Sequence, residues 1–115
     1  MKYDFEPYEA TLTEKGIELP EAFTKAVGED EIYFLNFQDK ILAADSESFK
    51  RIIEQVRKDD DKEKAILFQR YVYSKMIRLP ASDAAEALRR FKYTTGTKFR
   101  IESGNESLRF IEIKE

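Results

Sequence analysis

One stretch of the chain recurs in altered form, and this repeat constrains the fold more than any other feature. Without a gap, residues 8–20 align with residues 68–80 at a constant offset of sixty. The identical pairs are Lys15/Lys75, Ile17/Ile77, Leu19/Leu79 and Pro20/Pro80. After each copy the hydrophobic pattern predicts a helix and then two strands joined by a turn. The sequence therefore predicts an internal duplication of one β-hairpin/helix unit.

The length of the chain decides how two such units can fold. A unit of roughly 40 residues buries too little surface alone, so a chain of 115 residues must let both units share a core. Hydrophobic residues make up 42% of the chain, which is enough for such a core. Hairpins interleaved about a two-fold axis into one small barrel, with a helix from each copy outside, would protect the strand edges. We therefore predict a single α+β domain over residues 1–115, with half-repeats at 8–44 and 67–113.

Local patterns predict the elements of the first half-repeat. Residues 8–20 alternate around Glu14-Lys15-Gly16, which is typical of a β-hairpin. Pro20 at the start and Gly28 just past the end frame a two-turn helix. A second hairpin is predicted from the strands at 32–35 and 41–44.

A helix at 46–58 is predicted to link the two half-repeats. Asp45 or Ser46 can cap it, and its apolar residues lie at i, i+3, i+4 and i+7, namely Phe49, Ile52, Ile53 and Val56. Residues 59–64 are all charged and have no apolar face, so we predict a solvated linker there.

The start of the second half-repeat is ambiguous. Leu67, Phe68, Tyr71 and Val72 have helical spacing, whereas the Tyr, Val and Phe content of this segment favours a strand. The gapless repeat favours the strand, over residues 67–73. Beyond Pro80 a helix is predicted up to residues 94–96, and residues 98–102 and 108–113 alternate strictly around a turn, which predicts the last hairpin.

Residues 8–23 resemble the opening of MraZ proteins in the SpoVT/AbrB-like swapped-hairpin family. In that family a strand leads into an Asp-x-Lys-Gly-Arg loop, then into a short apolar strand that ends in Pro before a helix. The likeness continues through residues 41–45 and the helix with Phe49, and reaches residues 76–80. The resemblance implies a swapped-hairpin barrel, a DNA-binding transcription regulator and a homo-oligomer, which in MraZ-like proteins is a ring.

Both loops depart from the family pattern. The first, Thr13-Glu14-Lys15-Gly16-Ile17, keeps Lys-Gly but lacks the Asp and the Arg, and the second, Ser74-Lys75-Met76-Ile77-Arg78, has no glycine. MraZ-like chains carry an aromatic-rich helix before the second copy. If residues 65–73 form that helix, the first strand and the loop of the second copy have been lost.

Five basic residues are the candidates for contacting DNA. By the resemblance, Lys15 and Lys75 occupy the hairpin loops, while Arg78 is suited to bidentate contact with guanine and Arg89 and Arg90 lie on the following helix. Each could instead be an ordinary solubilising group. Charge favours the second half for an anionic partner: residues 1–64 carry 10 basic and 17 acidic side chains, and residues 65–115 carry 10 basic and 6 acidic.

Two further patterns leave alternatives open. Tyr71 and Tyr73 could stack on single-stranded nucleic acid, but such a pair more often lies between a core and an oligomer interface. The altered loops and the acidic first half also fit an oligomeric scaffold, or a binder of another protein, that has lost DNA binding.

Composition argues against an enzyme. With no Cys, His or Trp, the chain has no thiolate or imidazole metal site, thiol nucleophile or His-based triad, and we expect no metal or cofactor. Asp83 with Glu112 and Lys114 only loosely resembles a nuclease signature. Acidic residues near the N-terminus and the lack of an apolar run of roughly 20 residues predict a cytoplasmic protein with no membrane partner. The resemblance to DNA-binding regulators implies that it is associated with the nucleoid.

Overall fold

The computed structural model describes residues 2–37, 39–59 and 62–114, which form six β-strands and four α-helices. The α+β class is therefore confirmed. In chain order the elements are β1 Tyr8–Thr11, α1 Glu21–Val27, β2 Glu31–Phe37, β3 Lys40–Ala44, α2 Ser46–Asp59, α3 Lys62–Lys75, β4 Ile77–Pro80, α4 Ala84–Arg90, β5 Lys98–Ser103 and β6 Leu108–Glu112. A 3₁₀ turn at Ala81–Asp83 joins β4 to α4.

All described strands belong to one antiparallel sheet in the order β1-β5-β6-β3-β2-β4. The hairpins β2–β3 and β5–β6 meet in the middle, and the outer strands are exchanged. β1 pairs with β5 of the other half, and β4 pairs with β2. The strand order is therefore symmetric, because counting from the opposite edge gives the same order with each strand replaced by the corresponding strand of the other half. The sheet does not close into the predicted barrel, because β1 and β4 remain its edges within the described part of the chain.

One core lies on the inner face of the sheet and draws on both halves. Phe34, Phe99 and Phe110 from the strands are fully buried there, with Phe23 from α1 and Leu88 from α4. Burial of each such side chain stabilises the fold by about 2–3 kcal/mol. Neither half could form this core alone.

A second, smaller cluster lies on the outer face of β2–β3. There Leu35 of the sheet packs with Phe49 and Ile53 of α2 and with Val72 of α3. The ring of Tyr33 stacks on Phe49 with centroids 4.7 Å apart. The predicted linking helix is confirmed, and Phe49, Ile52 and Ile53 of the pattern that predicted it pack here.

Residues 62–75 form a helix, so the predicted strand at 67–73 is wrong. Val72 and Met76 are one helical turn apart and both reach the outer cluster, and this packing outweighs the β propensity of the aromatic residues. The predicted linker at 59–64 is also wrong where Asp59 ends α2 and residues 62–64 begin α3, while residues 60–61 lie outside the described residues.

The second half-repeat therefore begins at β4, not at residue 67. It lacks the first strand and the loop that the gapless alignment assigned to it. The two aligned stretches share one structural feature, which is a proline before a helix. Pro20 precedes α1, and Pro80 precedes the 3₁₀ turn that leads into α4.

The first half-repeat keeps its predicted turn but only one of the two strands around it. Thr13 and Gly16 close the turn, whereas residues 17–20 are not part of the sheet. The Tyr8 hydroxyl donates to the carbonyl of Glu18 at 2.8 Å and holds that segment beside β1. The helix between Pro20 and Gly28 is confirmed.

The N-terminal segment fastens the two hairpins together. The Lys2 ammonium lies 2.7 Å from the Asp45 carboxylate, the Tyr3 hydroxyl donates to that carboxylate, and the Ser103 hydroxyl donates to the carbonyl of Tyr3. Asp45 also caps α2, because the backbone N–H of Ser48 donates to it at 2.8 Å. Burial disfavours the charged form of Asp45, but hydrogen bonds from Lys2, Tyr3 and Ser48 outweigh it and hold the pKa of Asp45 well below its usual range.

Candidate nucleic-acid interface

The turn that carries Lys15 is closed by backbone and side-chain hydrogen bonds. The N–H of Thr13 donates to the carbonyl of Gly16 at 2.9 Å, and the N–H of Gly16 donates back at 3.2 Å. The Thr13 hydroxyl adds a bond of 3.0 Å to the same Gly16 carbonyl. Gly16 has a φ of 135°, a backbone conformation that residues other than glycine rarely adopt. Glu14 and Lys15 are thereby held exposed at the tip.

Arg89 fastens this turn to α4. Its Nη2 atom donates to the carbonyl of Thr13 at 2.7 Å and to the Thr95 hydroxyl at 3.4 Å. The guanidinium therefore positions the turn. Its charge still contributes to the local potential, although its hydrogen bonds are directed at the protein.

Two further cations lie at the C-terminal end of α4. Arg90 is exposed and its Nε lies 3.2 Å from the Glu86 carboxylate, one turn earlier. Lys92 is exposed and has a φ of 75°. It ends the helix where the N–H of Tyr93 donates to the carbonyl of Leu88 at 3.1 Å. We refer to Lys15, Arg89, Arg90 and Lys92 as the cationic end. The acidic side chains Glu14 and Glu86 partly offset its charge.

The structure does not bring Lys75 and Arg78 to the cationic end. Lys75 is the last residue of α3, so its predicted place in a hairpin loop is wrong. A positive charge there complements the helix dipole. Arg78 lies on β4 opposite Tyr33, and its Cζ is 6.0 Å from the centroid of the Tyr33 ring. Hydrogen bonds from Ser46 and then from Arg78 lower the pKa of Tyr33.

A groove of about 670 Å³ runs beside the turn, between β1, α1 and the start of α4. Small side chains such as Ala81, Ala84 and Ala85 leave the space open. Its charged lining has both signs, with Lys15 opposed by Glu9 and Glu18. The groove therefore does not select an anion by charge, and the exposed cationic end is the better candidate.

Two features of the basic surface are absent from the predictions made from the sequence. The contact between Arg89 and Thr13 joins residues 76 positions apart, and no local pattern indicates it. The outer face of β5–β6 carries Arg100, with its Nε 3.0 Å from Glu102, and Arg109, with its Nη2 3.6 Å from the same carboxylate. The alternation of β5 and β6 could have indicated this second charged surface.

The described residues hold no group of three or more His, Cys, Asp or Glu side chains that could bind a metal ion. Within the same ranges, every helix is too short or too polar to cross a membrane.

Comparison of the chain with protein-family models, curated proteins and solved structures finds no match in any of the three. The residues and contacts described above are therefore the basis for assigning a function.

Proposed function

We propose that the chain binds duplex DNA through the cationic end and acts as a transcription regulator of the MraZ/AbrB-like type, associated with the nucleoid in the cytoplasm. The observation that carries the proposal is the hydrogen bond from Arg89 to Thr13. It joins the turn with Lys15 to the helix with Arg90, so that cations from distant parts of the chain share one end. Lys92 extends this surface.

The exchange of outer strands supports the swapped-hairpin part of the proposal. Each half lends one strand to the other half's hairpin, as β1 does to β5 and β4 does to β2. This exchange resembles the interleaving of hairpins that the swapped-hairpin type implies. In the proposal this chain is an opened member of the type, with the DNA-contacting loop kept in the first half only.

Phosphate contacts supply the affinity in this proposal. Neutralising about three phosphates gives a slope of about −3 in a plot of log K against log salt. Such contacts position a protein on DNA but do not read the sequence. Arg78 is left out of this set, since its guanidinium lies over Tyr33 on the other side of the sheet from the core.

Fluorescence anisotropy tests the proposal with a labelled duplex from the chain's own upstream region and a scrambled duplex, each at two salt concentrations. Lys15→Ala, Arg90→Ala and Lys92→Ala should each weaken binding roughly threefold and make the salt slope less negative by about one unit. The matched control is Lys50→Ala, which removes an exposed cation from α2. An affinity that does not change with salt concentration would contradict the assignment. So would a loss of affinity in Lys50→Ala as large as that in the three test variants.

A second candidate function is an oligomeric scaffold, ring-shaped or otherwise, or a binder of another protein. The observation that favours it is the apolar surface of α3, where Ile66, Leu67, Tyr71 and Tyr73 are 47–65% exposed. Monomeric proteins rarely leave several large apolar side chains together in water. Association without any salt-dependent DNA binding would favour this candidate.

A further inference from the structure

Helix α3 has one buried side and one broad exposed side. Val72 is fully buried in the outer cluster. On the exposed side, Leu67 is 65% exposed, Ile66 and Tyr73 are each 51% exposed, and Tyr71 is 47% exposed. This is the apolar surface that the fold of a single copy leaves uncovered among the described residues.

The charges beside this surface form a self-complementary pattern. Glu63, Ile66, Leu67 and Arg70 follow one another at i, i+3, i+4 and i+7, so they form one stripe along α3. All four side chains are exposed, and neither Glu63 nor Arg70 takes part in an ion pair within the described residues. The stripe has an acid at one end, a base at the other and two apolar residues between them. It is therefore complementary to an identical stripe that runs in the opposite direction.

We propose that this stripe docks a second copy of the chain through an antiparallel pairing of α3 with α3. A two-fold axis between residues 66 and 67 sets Glu63 of each copy against Arg70 of the other and packs Ile66 against Leu67. The interface is isologous, with one patch serving both subunits. Parallel pairing would instead set Glu63 against Glu63 and Arg70 against Arg70, which is repulsive.

The size of the stripe predicts a weak dimer. Contact along about three turns of single helices buries on the order of 1,000 Å² in total, at the low end for specific interfaces. Tyr71 and Tyr73 extend the contact toward the first turn of the partner helix. A dissociation constant on the order of micromolar is therefore expected. The dimer goes beyond the proposed DNA binding and is measured without DNA.

Sedimentation velocity from low to high micromolar concentration gives the first test. The parent chain should shift from monomer to dimer. Leu67→Glu should raise the dissociation constant at least about tenfold by placing charge in the contact. Because Leu67 is 65% exposed, this variant should keep its circular dichroism spectrum and melting temperature. A parent chain that stays monomeric throughout would overturn the proposal, as would one that forms only larger assemblies.

Charge exchange tests the antiparallel register. Glu63→Arg and Arg70→Glu should each weaken the dimer roughly tenfold, because each sets like charges together twice. Mixing these two variants should restore association, since every facing pair is then opposite in sign. The double variant should also dimerise. Glu29→Arg, which changes an exposed acid in a loop, is the matched control. Failure of the mixture to associate would overturn the antiparallel pairing.

Discussion

The two halves of the molecule are alike on the inner face of the sheet and differ on its outer face. Both give a hairpin and a short helix to one core on the inner face of the sheet. The outer face of β2–β3 is covered by α2 and α3, whereas that of β5–β6 carries Arg100, Glu102 and Arg109. Packing restricts the inner positions of both halves to apolar residues, while the outer positions are free to take different roles.

The segments before Pro20 and Pro80 differ as well. In the first half a turn at residues 13–16 precedes Pro20, and in the second half α3 leads directly into β4 and Pro80. The turn carries Lys15 of the proposed DNA contact, whose other cations lie on or just after α4, and α3 carries the proposed dimer contact. The two proposed contacts thus depend on segments that the repeat does not share.

Phe99→Ala should give the largest effect, because it empties a fully buried site of the shared core. We expect a loss of about 3–5 kcal/mol in the free energy of unfolding. Phe34→Ala, in the other half, should cost a similar amount. Urea denaturation followed by circular dichroism measures both. Two separate transitions would contradict a core shared by the halves.

Asp45→Ala should cost about 2–3 kcal/mol, since it removes a helix cap and leaves the buried Tyr3 hydroxyl without its acceptor. This change removes the contacts of the N-terminal segment with Asp45, and with them the link that this segment makes between the two hairpins. Asp45→Asn is the milder comparison, because an amide can still cap the helix. A loss below about 0.5 kcal/mol for Asp45→Ala would show that the cap and its contacts contribute little.

The same carboxylate predicts a pH dependence. Because the pKa of Asp45 is lower in the folded chain than in the unfolded chain, its contribution is complete above the ordinary carboxyl pKa of about 4. The contribution is lost as the pH falls below that value toward the folded pKa. Thermal unfolding between pH 6 and pH 2 should therefore show a shallower decline for Asp45→Asn than for the parent chain.

Gly16→Ala should cost about 1–2 kcal/mol, because a φ of 135° strains an L residue. An added Cβ would meet no atom within 4 Å, so the cost is conformational. The turn exists only in the first half, and the change should also weaken DNA binding by displacing Lys15. Glu14→Ala, at the same tip, is the control for stability. An unchanged melting temperature for Gly16→Ala would contradict the strained turn.

Lys92→Gly should have the smallest effect and the opposite sign. Lys92 has a φ of 75° at the end of α4, and glycine adopts that conformation without strain. We expect a gain of about 0.5–1 kcal/mol in stability together with weaker DNA binding. Chemical denaturation and anisotropy on one protein sample measure both. A gain in both properties would remove Lys92 from the proposed interface.

Strong local signals predicted most of the elements. Pro20 and Gly28 framed α1, and strict alternation identified the last hairpin. Helix α3 was missed because Tyr71, Val72 and Tyr73 favour a strand by composition, while only the outer cluster, formed by distant residues, favours the helix. Lys15 lies in a turn, whereas the aligned Lys75 lies at the end of a helix. The identity of these two residues in the alignment therefore did not indicate a shared structure.

The candidate site was predicted in part. Lys15 and Arg90 lie on the surface as expected, because exposed turns and polar helix faces can be recognised locally. The role of Arg89 depends on the carbonyl of Thr13, and that of Arg78 on the ring of Tyr33. Both partners are set by tertiary packing, which the order of residues along the chain does not reveal.

The exchange of outer strands also governs when the molecule can fold. β1 has its hydrogen-bonding partner in β5, where Tyr8 pairs with Ile101, so β1 cannot pair until β5, much later in the chain, has been synthesised. Contacts between such distant residues slow folding and prolong the exposure of strand edges. Truncation before β5 should therefore leave an open, aggregation-prone chain instead of a folded half.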